Sequence, residues 1–512
     1  MKSQNKKKYM KLSRNNLAHL SALSGVEFPA QKLFSLPEKV LQFGAGVFVR
    51  GLIDYYIDKA NKDGNFNGRA VLVKSTDAGD INLFGSQDNL FTQVLKSTDN
   101  GLSVEKNIVN SAISRVIDAN NWTQVLACAA NPQIGIIISN TTEIGIVLDE
   151  TDSIKLNPPL SYPAKLLSFL YARYIAFNGS AESGMIIIPT ELIPDNATKL
   201  KAIVNTLAIK EQLAHDFIDW LNGKNEFCNS LVDRIVPGKL SPKEQQEKEA
   251  ELGYEDELMI MSETFGLWAI ESSSEKVKKA LSFSLSDKGI HIVPNIDKFR
   301  ELKLRLLNGS HNLSCAVGFL AGFKTVKEAM ANPVFDGYMQ QLINTEIAAA
   351  IVSPIITLDD ARTFGTEVLK RYRNPYIAFD WLSICVQDTA KLKIRAVPIV
   401  LQHFEKYGYV PDAVCLGFAA YILFMQPNIE IQGDYYGISN GEKYHIIDDF
   451  AELLANKWAV SKELELVQSV LADVALWGVD LNQLSGFSVR VNYFFKLMDE
   501  RGFFGAVGLL NS

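Results

Sequence analysis

Val40-Leu41-Gln42-Phe43-Gly44-Ala45-Gly46-Val47-Phe48-Val49-Arg50-Gly51 is the stretch on which the fold of this chain turns. Its first four residues read as the end of a buried strand, Gly-x-Gly as a tight turn, and the run from Val47 as the opening of a helix. A strand that enters a helix this way suits pyrophosphate. The first glycine permits the turn, the second lets the main chain approach the phosphates, and the helix N-terminus presents unpaired N–H donors. Phe43, Gly44, Ala45, Gly46, Val47 and Phe48 are therefore candidate cofactor residues. The third glycine of the dinucleotide fingerprint is absent, since Val49 and Arg50 stand where it belongs. A lone Gly-x-Gly also serves ordinary strand-to-helix turns, so the rest of the chain has to decide.

Working outward, runs rich in Val, Ile and Leu recur at 39–43, 70–73, 134–138 and 185–188, with helical patterns at 52–61, 164–177 and 196–220 between or after them. Short apolar runs alternating with helices predict a doubly wound α/β sheet of Rossmann type, its strands buried on both faces. The second run leads into Lys74-Ser75-Thr76-Asp77. Asp77 is a candidate ribose ligand and Lys74 a candidate contact to a 2′-phosphate, so these residues leave NAD and NADP both open. Thr142 and Glu143 follow the third run, at the strand end where open α/β sheets bind ligands, and are candidates for contact with ribose or nicotinamide. After about residue 294 helical patterns follow one another at 299–307, 312–323, 326–331, 336–351 and 358–372. The expected organisation is an N-terminal arm (1–36), a Rossmann-like α/β domain (37–294) and a mostly α-helical C-terminal domain (295–512).

The chain has 512 residues, 47% of them hydrophobic, and a net charge of −7, which fits a folded protein and lacks the basic excess that nucleic-acid binding draws on. Residues 1–16 are Lys-rich with no apolar core behind them, and read as a solvated arm with no secretory signal. The charged segment 240–257 reads as an exposed helix. The longest apolar run, 413–425, is too short to span a membrane and reads as a buried helix. Cys128, Cys228, Cys315, Cys385 and Cys415 are scattered singly, without metal-ligand spacing, as expected of reduced thiols in a cytoplasmic protein.

Lys303-Leu304-Arg305-Leu306-Leu307-Asn308-Gly309-Ser310-His311 opens the helical domain. At α-helical spacing Lys303, Leu307 and His311 share a face, with Asn308 beside them. Ketone reduction needs a proton donor for the developing alkoxide, hydrogen-bond donors to polarise the carbonyl, and a group to orient the donor. Lysine, asparagine and histidine can fill those roles. The lysine must then sit below its ordinary pKa of about 10.4, which Arg305 and a closed apolar cleft could arrange. The same residues also fit a solvated helix with an Asn-Gly bend.

Gly44-Ala45-Gly46-x-x-x-Arg50, Ser139-Asn140-Thr141-Thr142-Glu143, Leu231-Val232-Asp233-Arg234-Ile235-Val236-Pro237 and the Lys303, Asn308-Gly309, His311 set together resemble the mannitol dehydrogenase family of polyol-specific long-chain dehydrogenases. The likeness runs in order from roughly residue 37 to roughly residue 400. Ser161-Tyr162-Pro163-Ala164-Lys165-Leu166, Ile186-Ile187-Ile188-Pro189-Thr190-Glu191-Leu192-Ile193 and Arg371-Tyr372-Arg373-Asn374-Pro375-Tyr376-Ile377 look like its tagaturonate-reducing branch. The resemblance implies a zinc-independent, NAD-dependent enzyme of hexuronate breakdown that interconverts D-tagaturonate and D-altronate. Lys303 would be the general acid/base, Asn308 the carbonyl-polarising donor and His311 a positioning residue. Glu191 stands near the place of a second asparagine that holds the oxyanion in polyol enzymes, and would contact substrate, for instance a hydroxyl.

Related enzymes often carry a histidine five residues beyond the asparagine matched by Asn374; here Phe379 replaces it. The substrate carboxylate calls for a cation, with Arg371, Arg373, Lys391 and Arg395 as candidates and Arg371 and Lys391 preferred. Competing readings are a sibling reductase for fructuronate or a polyol such as mannitol, and a non-catalytic NAD-binding regulator. The expected partner is a small hexuronate or aldonate, with neither nucleic acid nor membrane involved, in a monomer or small homo-oligomer.

Overall fold

The structure, a computed structural model, describes residues 9–23, 25–75, 80–99, 102–141 and 145–510. Six parallel strands form the central sheet in the order Glu226–Phe227, Ile186–Pro189, Ile136–Ser139, Glu38–Phe43, Arg69–Lys74, Ile113–Asp118. Counted along the chain this is the classic dinucleotide-binding order 3-2-1-4-5-6, read from the other edge. The order reverses between Glu38–Phe43 and Ile136–Ser139, so the glycine turn leaves the sheet at its switch point.

The apolar runs are explained by burial on both faces. Val40, Leu72, Ile136, Ile138, Ile186 and Ile188 pack into one layer with helix Val47–Lys62. Their neighbours Leu41, Phe43, Val71, Val73, Ile137 and Ile187 pack into the other with helices Tyr162–Ala176 and Asn196–Lys210. Alternate residues thus serve opposite cores, and no polar alternation survives in the sequence.

The chain divides into two units, one ending at Ile296 and the next starting at Asp297. In the first, the expected solvated arm is packed from Met10 onward. Met10–Lys11 pairs in parallel with Tyr254–Glu255, and Leu12, Leu17 and Leu20 are buried beside Leu252 and Tyr254. Three apolar side chains outweigh the lysines around them. The helical pattern at 196–220 is two helices, Asn196–Lys210 and His215–Lys224, parted where Gln212 takes a φ of 55°. The charged segment holds helix Pro242–Leu252, opened by a Ser241/Glu244 capping box and closed by Gly253.

The second unit is mostly helical around Asp412–Phe424, the apolar run expected to be buried. Among the described residues no helix is long and apolar enough to cross a membrane. A three-stranded antiparallel sheet, Ile429–Ile431, Asp434–Ser439 and Glu442–Ile446, interrupts the helices and was not expected. Two segments, Lys303–Gly309 and Gln341–Ile347, are π-helical.

The second π-turn has a visible purpose. Helix Asp412–Phe424 has no side-chain cap of its own, and Glu346 supplies one from outside, accepting the N–H groups of Ala413 at 2.9 Å and Val414 at 3.0 Å. Burial pushes the Glu346 carboxyl up to about 7 despite those donors. Glu346→Ala leaves two buried N–H groups unsatisfied and is expected to cost about 2 kcal/mol. A carboxyl raised on folding binds a proton that the unfolded chain releases, so its contribution is complete below the ordinary value of 4.5 and is lost as pH rises through about 7. Thermal unfolding from pH 5 to 8 checks both points. The parent's slope should flatten in the variant, and an unchanged midpoint would remove the capping role.

Candidate active site

Strand Glu38–Phe43 ends under Gly44, and helix Val47–Lys62 starts directly after its N-cap, Gly46, with no side chain capping its first turn. Gly44 has a φ of +126°, and a Cβ there would lie 2.7 Å from the carbonyl oxygen of Asn140. Only glycine fits both demands. A Cβ on Gly46 would meet nothing within 4 Å, so space lies open beside the helix N-terminus where a phosphate would sit. The ring of Phe43 is buried 5.2 Å from that of Tyr162, which leaves its main chain for any cofactor contact. Beneath the turn Gln42 donates to the Gly44 carbonyl at 3.2 Å and to the buried carboxyl of Asp54 at 3.4 Å.

The missing third glycine has a substitute two residues later. A Cβ on Gly51 would come within 2.9 Å of a Val236 methyl, so Gly51 gives the helix its close approach to the 231–237 motif. Arg234 of that motif donates to the Gly51 carbonyl at 2.7 Å and to the carbonyls of Glu263 and Thr264, a structural role. Arg50 also turns inward, donating to the Leu258 carbonyl at 2.8 Å against the rings of Phe84 and Phe91. Gly51 lay within the decisive stretch, and its small size was the signal that went unread.

Glu191 has its partners close by along the sheet's C-terminal edge. It is buried in the first unit and accepts from Ser139 Oγ at 3.1 Å and from both the N–H and the Oγ1 of Thr141 at 2.9 Å. Ionised, it offers only acceptors, and three donors already face it. In this structure it shapes the 139–141 loop at the switch point, beside Asn140 and Gly44. Asp77, Thr142 and Glu143 lie outside the described residues.

Lys303, Asn308 and His311 follow one another through the first π-turn into helix Ser310–Leu320. The expected α-helical register is corrected by that turn. With i→i+5 bonding the turn is one residue wider, so Asn308 replaces Leu307 above Lys303. Burial follows the new register: Leu307 is buried, while Lys303, Asn308 and His311 are all half-buried. Gly309 lets the turn lie close to the next helices, where a Cβ would stand 3.1 Å from Ile399. Arg305 is not beside Lys303. It is buried, paired with Glu301 at 3.0 Å and donating to the carbonyls of Ile394 and Arg395 at the end of helix Asp388–Arg395.

Aromatic rings surround His311. Tyr372 stacks on it with centroids 4.2 Å apart, and Phe379 and Trp381 meet it edge-on at 6.3 and 6.4 Å. Phe379 thus occupies the histidine's place as part of a collar.

The four candidate cations separate. Arg373 is committed to Asp336 through bonds of 2.6 and 2.9 Å. Lys391, preferred from sequence, gives two of its ammonium hydrogens to the carbonyls of Ile384 and Val386 at the end of the short helix Trp381–Ile384. Arg371 is 5% exposed. Arg395 is half-buried and donates to Asn312 Oδ1 at 2.7 Å, while Asn312 Nδ2 is held at 2.6 Å by the buried carboxyl of Asp388. Burial pushes Asp388 up to about 7. Sequence reasoning missed Asn312, adjacent to His311, because nothing in its spacing marks it. Among the described residues no group of three or more His, Cys, Asp or Glu side chains is set to hold a metal ion.

A Gly-x-Gly turn at the switch point of a parallel sheet, followed along the chain by lysine, asparagine and histidine on one helical run, suits a dehydrogenase or reductase. Comparison with known proteins gives the family. The mannitol dehydrogenase Rossmann domain matches residues 38–282, and the mannitol dehydrogenase C-terminal domain matches 295–498. The chain belongs to the mannitol dehydrogenase family. It is 34% identical over 467 residues to altronate oxidoreductase of Bacillus subtilis (strain 168), covering 91% of this chain and 94% of that one. Two solved structures share the fold. Mannitol 2-dehydrogenase of Pseudomonas fluorescens, in a ternary complex with NAD and D-mannitol, has a TM-score of 0.69 at 22% identity, covering 98% of this chain and 99% of that one. A substrate-free D-sorbitol dehydrogenase has a TM-score of 0.77 at 20% identity, covering 97% and 100%.

Proposed function

We propose that this oxidoreductase interconverts D-tagaturonate and D-altronate with NAD as its cofactor. The observation that carries the reading is the set Lys303, Asn308 and His311, the first two on one wide turn and the third on the helix it runs into, in a chain whose relatives include proteins named altronate oxidoreductase. The residues fit the cofactor: the open space at Gly46 and the uncapped helix behind it suit a pyrophosphate. When bound, the nicotinamide supplies or accepts the hydride. In reduction Lys303 Nζ gives its proton to the oxygen of the former ketone, and in oxidation it takes that proton back. The Asn308 amide donates to the same oxygen as negative charge gathers there. His311, held by its aromatic collar, orients the group it faces. The lysine and the amide share the charge and proton work, and the reading calls for no metal.

For the substrate carboxylate Arg395 is the best placed of the four candidates. It spends one of five donors on Asn312, beside the catalytic helix, while Arg373 and Lys391 are already committed. The test is loss of NADH absorbance with tagaturonate, fructuronate and fructose side by side, repeated with NADPH. Tagaturonate with NADH should lead. Arg395→Gln should raise KM for tagaturonate about 10- to 100-fold, the worth of one hydrogen bond to a charged group, and leave any fructose turnover alone. A preference for fructose or fructuronate would overturn the substrate assignment, and bound NADH with no turnover would favour the regulator.

A further inference from the structure

We infer that Tyr372 is a positioning residue of the proposed reaction, holding the wide turn that displays Lys303 and Asn308 together with the ring of His311. Its kinetic consequence rests on the function proposed above; its structural basis does not. Tyr372 closes helix Leu358–Tyr372 and is 3% exposed. Its hydroxyl donates at 2.8 Å to the carbonyl oxygen of Leu307, the residue before Asn308. Its ring lies against His311 at 4.2 Å with 24° between the planes. One side chain therefore holds the segment that carries the chemistry at two points, its middle and its C-terminal end.

The wide turn needs such a grip. An i→i+5 turn departs from the regular ladder, and carbonyls where it rejoins the α-helix depend on donors from elsewhere. Here the Leu307 carbonyl takes the main-chain N–H of Ser310, and side chains add further donors around it. Ser310 Oγ lies 2.6 Å from the Leu306 oxygen and 3.2 Å from that of Leu307, and 2.9 Å from the Tyr372 hydroxyl. The cluster is buried, so water cannot replace a lost donor. Losing the hydroxyl should loosen the turn, and a small displacement of reacting groups is costly in rate.

Tyr338 makes a control. It too is buried and donates to a main-chain carbonyl of the same helix, Leu313, at 3.2 Å, further from the wide turn. Tyr372→Phe and Tyr338→Phe are compared for melting temperature, kcat, KM for NADH, the pH profile of kcat, and hydrogen exchange of the amides of 303–314. Tyr372→Phe should exchange faster across 303–314, lose kcat about 10-fold, shift its pH profile, and leave KM for NADH within about twofold. Tyr338→Phe should lower the melting temperature comparably and change kcat less than about twofold. If both variants share one kcat and pH profile, the positioning role is overturned, whatever their stability. Unchanged exchange across 303–314 in Tyr372→Phe overturns the grip itself. Should the parent turn over no substrate, the proposed reaction fails, and the exchange comparison still decides whether Tyr372 holds the turn.

Discussion

Lys303→Ala is expected to lower kcat for tagaturonate reduction by about 10² to 10⁴-fold, the usual worth of a positioned general acid, with KM changed little. The expectation follows from what remains in the variant. Asn308 can still donate to the carbonyl oxygen, but a neutral amide cannot give up a proton, so the alkoxide must take one from water. Residual activity should rise when small primary amines are added, because they can enter the space left by the side chain. Lys303→Arg should not recover the rate, since a guanidinium stays protonated at any working pH. Retention of more than about a tenth of parental kcat in Lys303→Ala would remove the lysine from the proton transfer. Single-turnover measurements make that result unambiguous by separating chemistry from product release.

The second large effect separates the two glycines of the turn. Gly44→Ala should be damaging in two ways. The new methyl would have to displace the Asn140 carbonyl from 2.7 Å, and the backbone would hold an alanine at a φ of +126°. Strain of that kind costs about 1 to 3 kcal/mol before the clash is added. The melting temperature should fall, and with it the ordered approach of the 139–141 loop. Gly46→Ala should leave the melting temperature where it was, because its backbone is ordinary and its methyl meets no protein atom within 4 Å. It should instead raise KM for NADH about 10-fold or more, as the methyl enters the space assigned to phosphate. Calorimetry and NADH titration on the two variants give the answer. A Gly46→Ala protein that binds NADH like its parent would show that the phosphates lie elsewhere.

Much of this architecture was legible in the sequence because its signals are local. Ile136 to Ile138 and Ile186 to Ile188 could be read as strands buried on both sides, since nothing else explains such runs beside a glycine turn. The sheet at 429–446 escaped that logic. Its strands are short and largely exposed, so they resemble loop, although Gln432-Gly433 and Asn440-Gly441, both with positive φ, were hairpin signals. Lys303, Asn308 and His311 were found as residues but placed in the wrong register, because a π-turn leaves no mark in composition. The partners of Lys391 and Glu191 escaped the sequence for a common reason. A charge's availability depends on which main-chain groups fold back onto it, and Ile384, Val386 and Thr141 announce nothing in sequence.

The wide turn also bears on how such a chain can change over generations. A regular helix would carry the same side chains with one residue fewer between Lys303 and Gly309, so the loss of a single codon in that interval would restore ordinary coiling. Such a deletion would leave composition almost untouched and keep asparagine one turn from lysine, yet it would close the wide turn around which Tyr372 and Ser310 are arranged. Along these seven residues, length is inherited information in its own right, and aligning relatives by residue identity alone would overlook it.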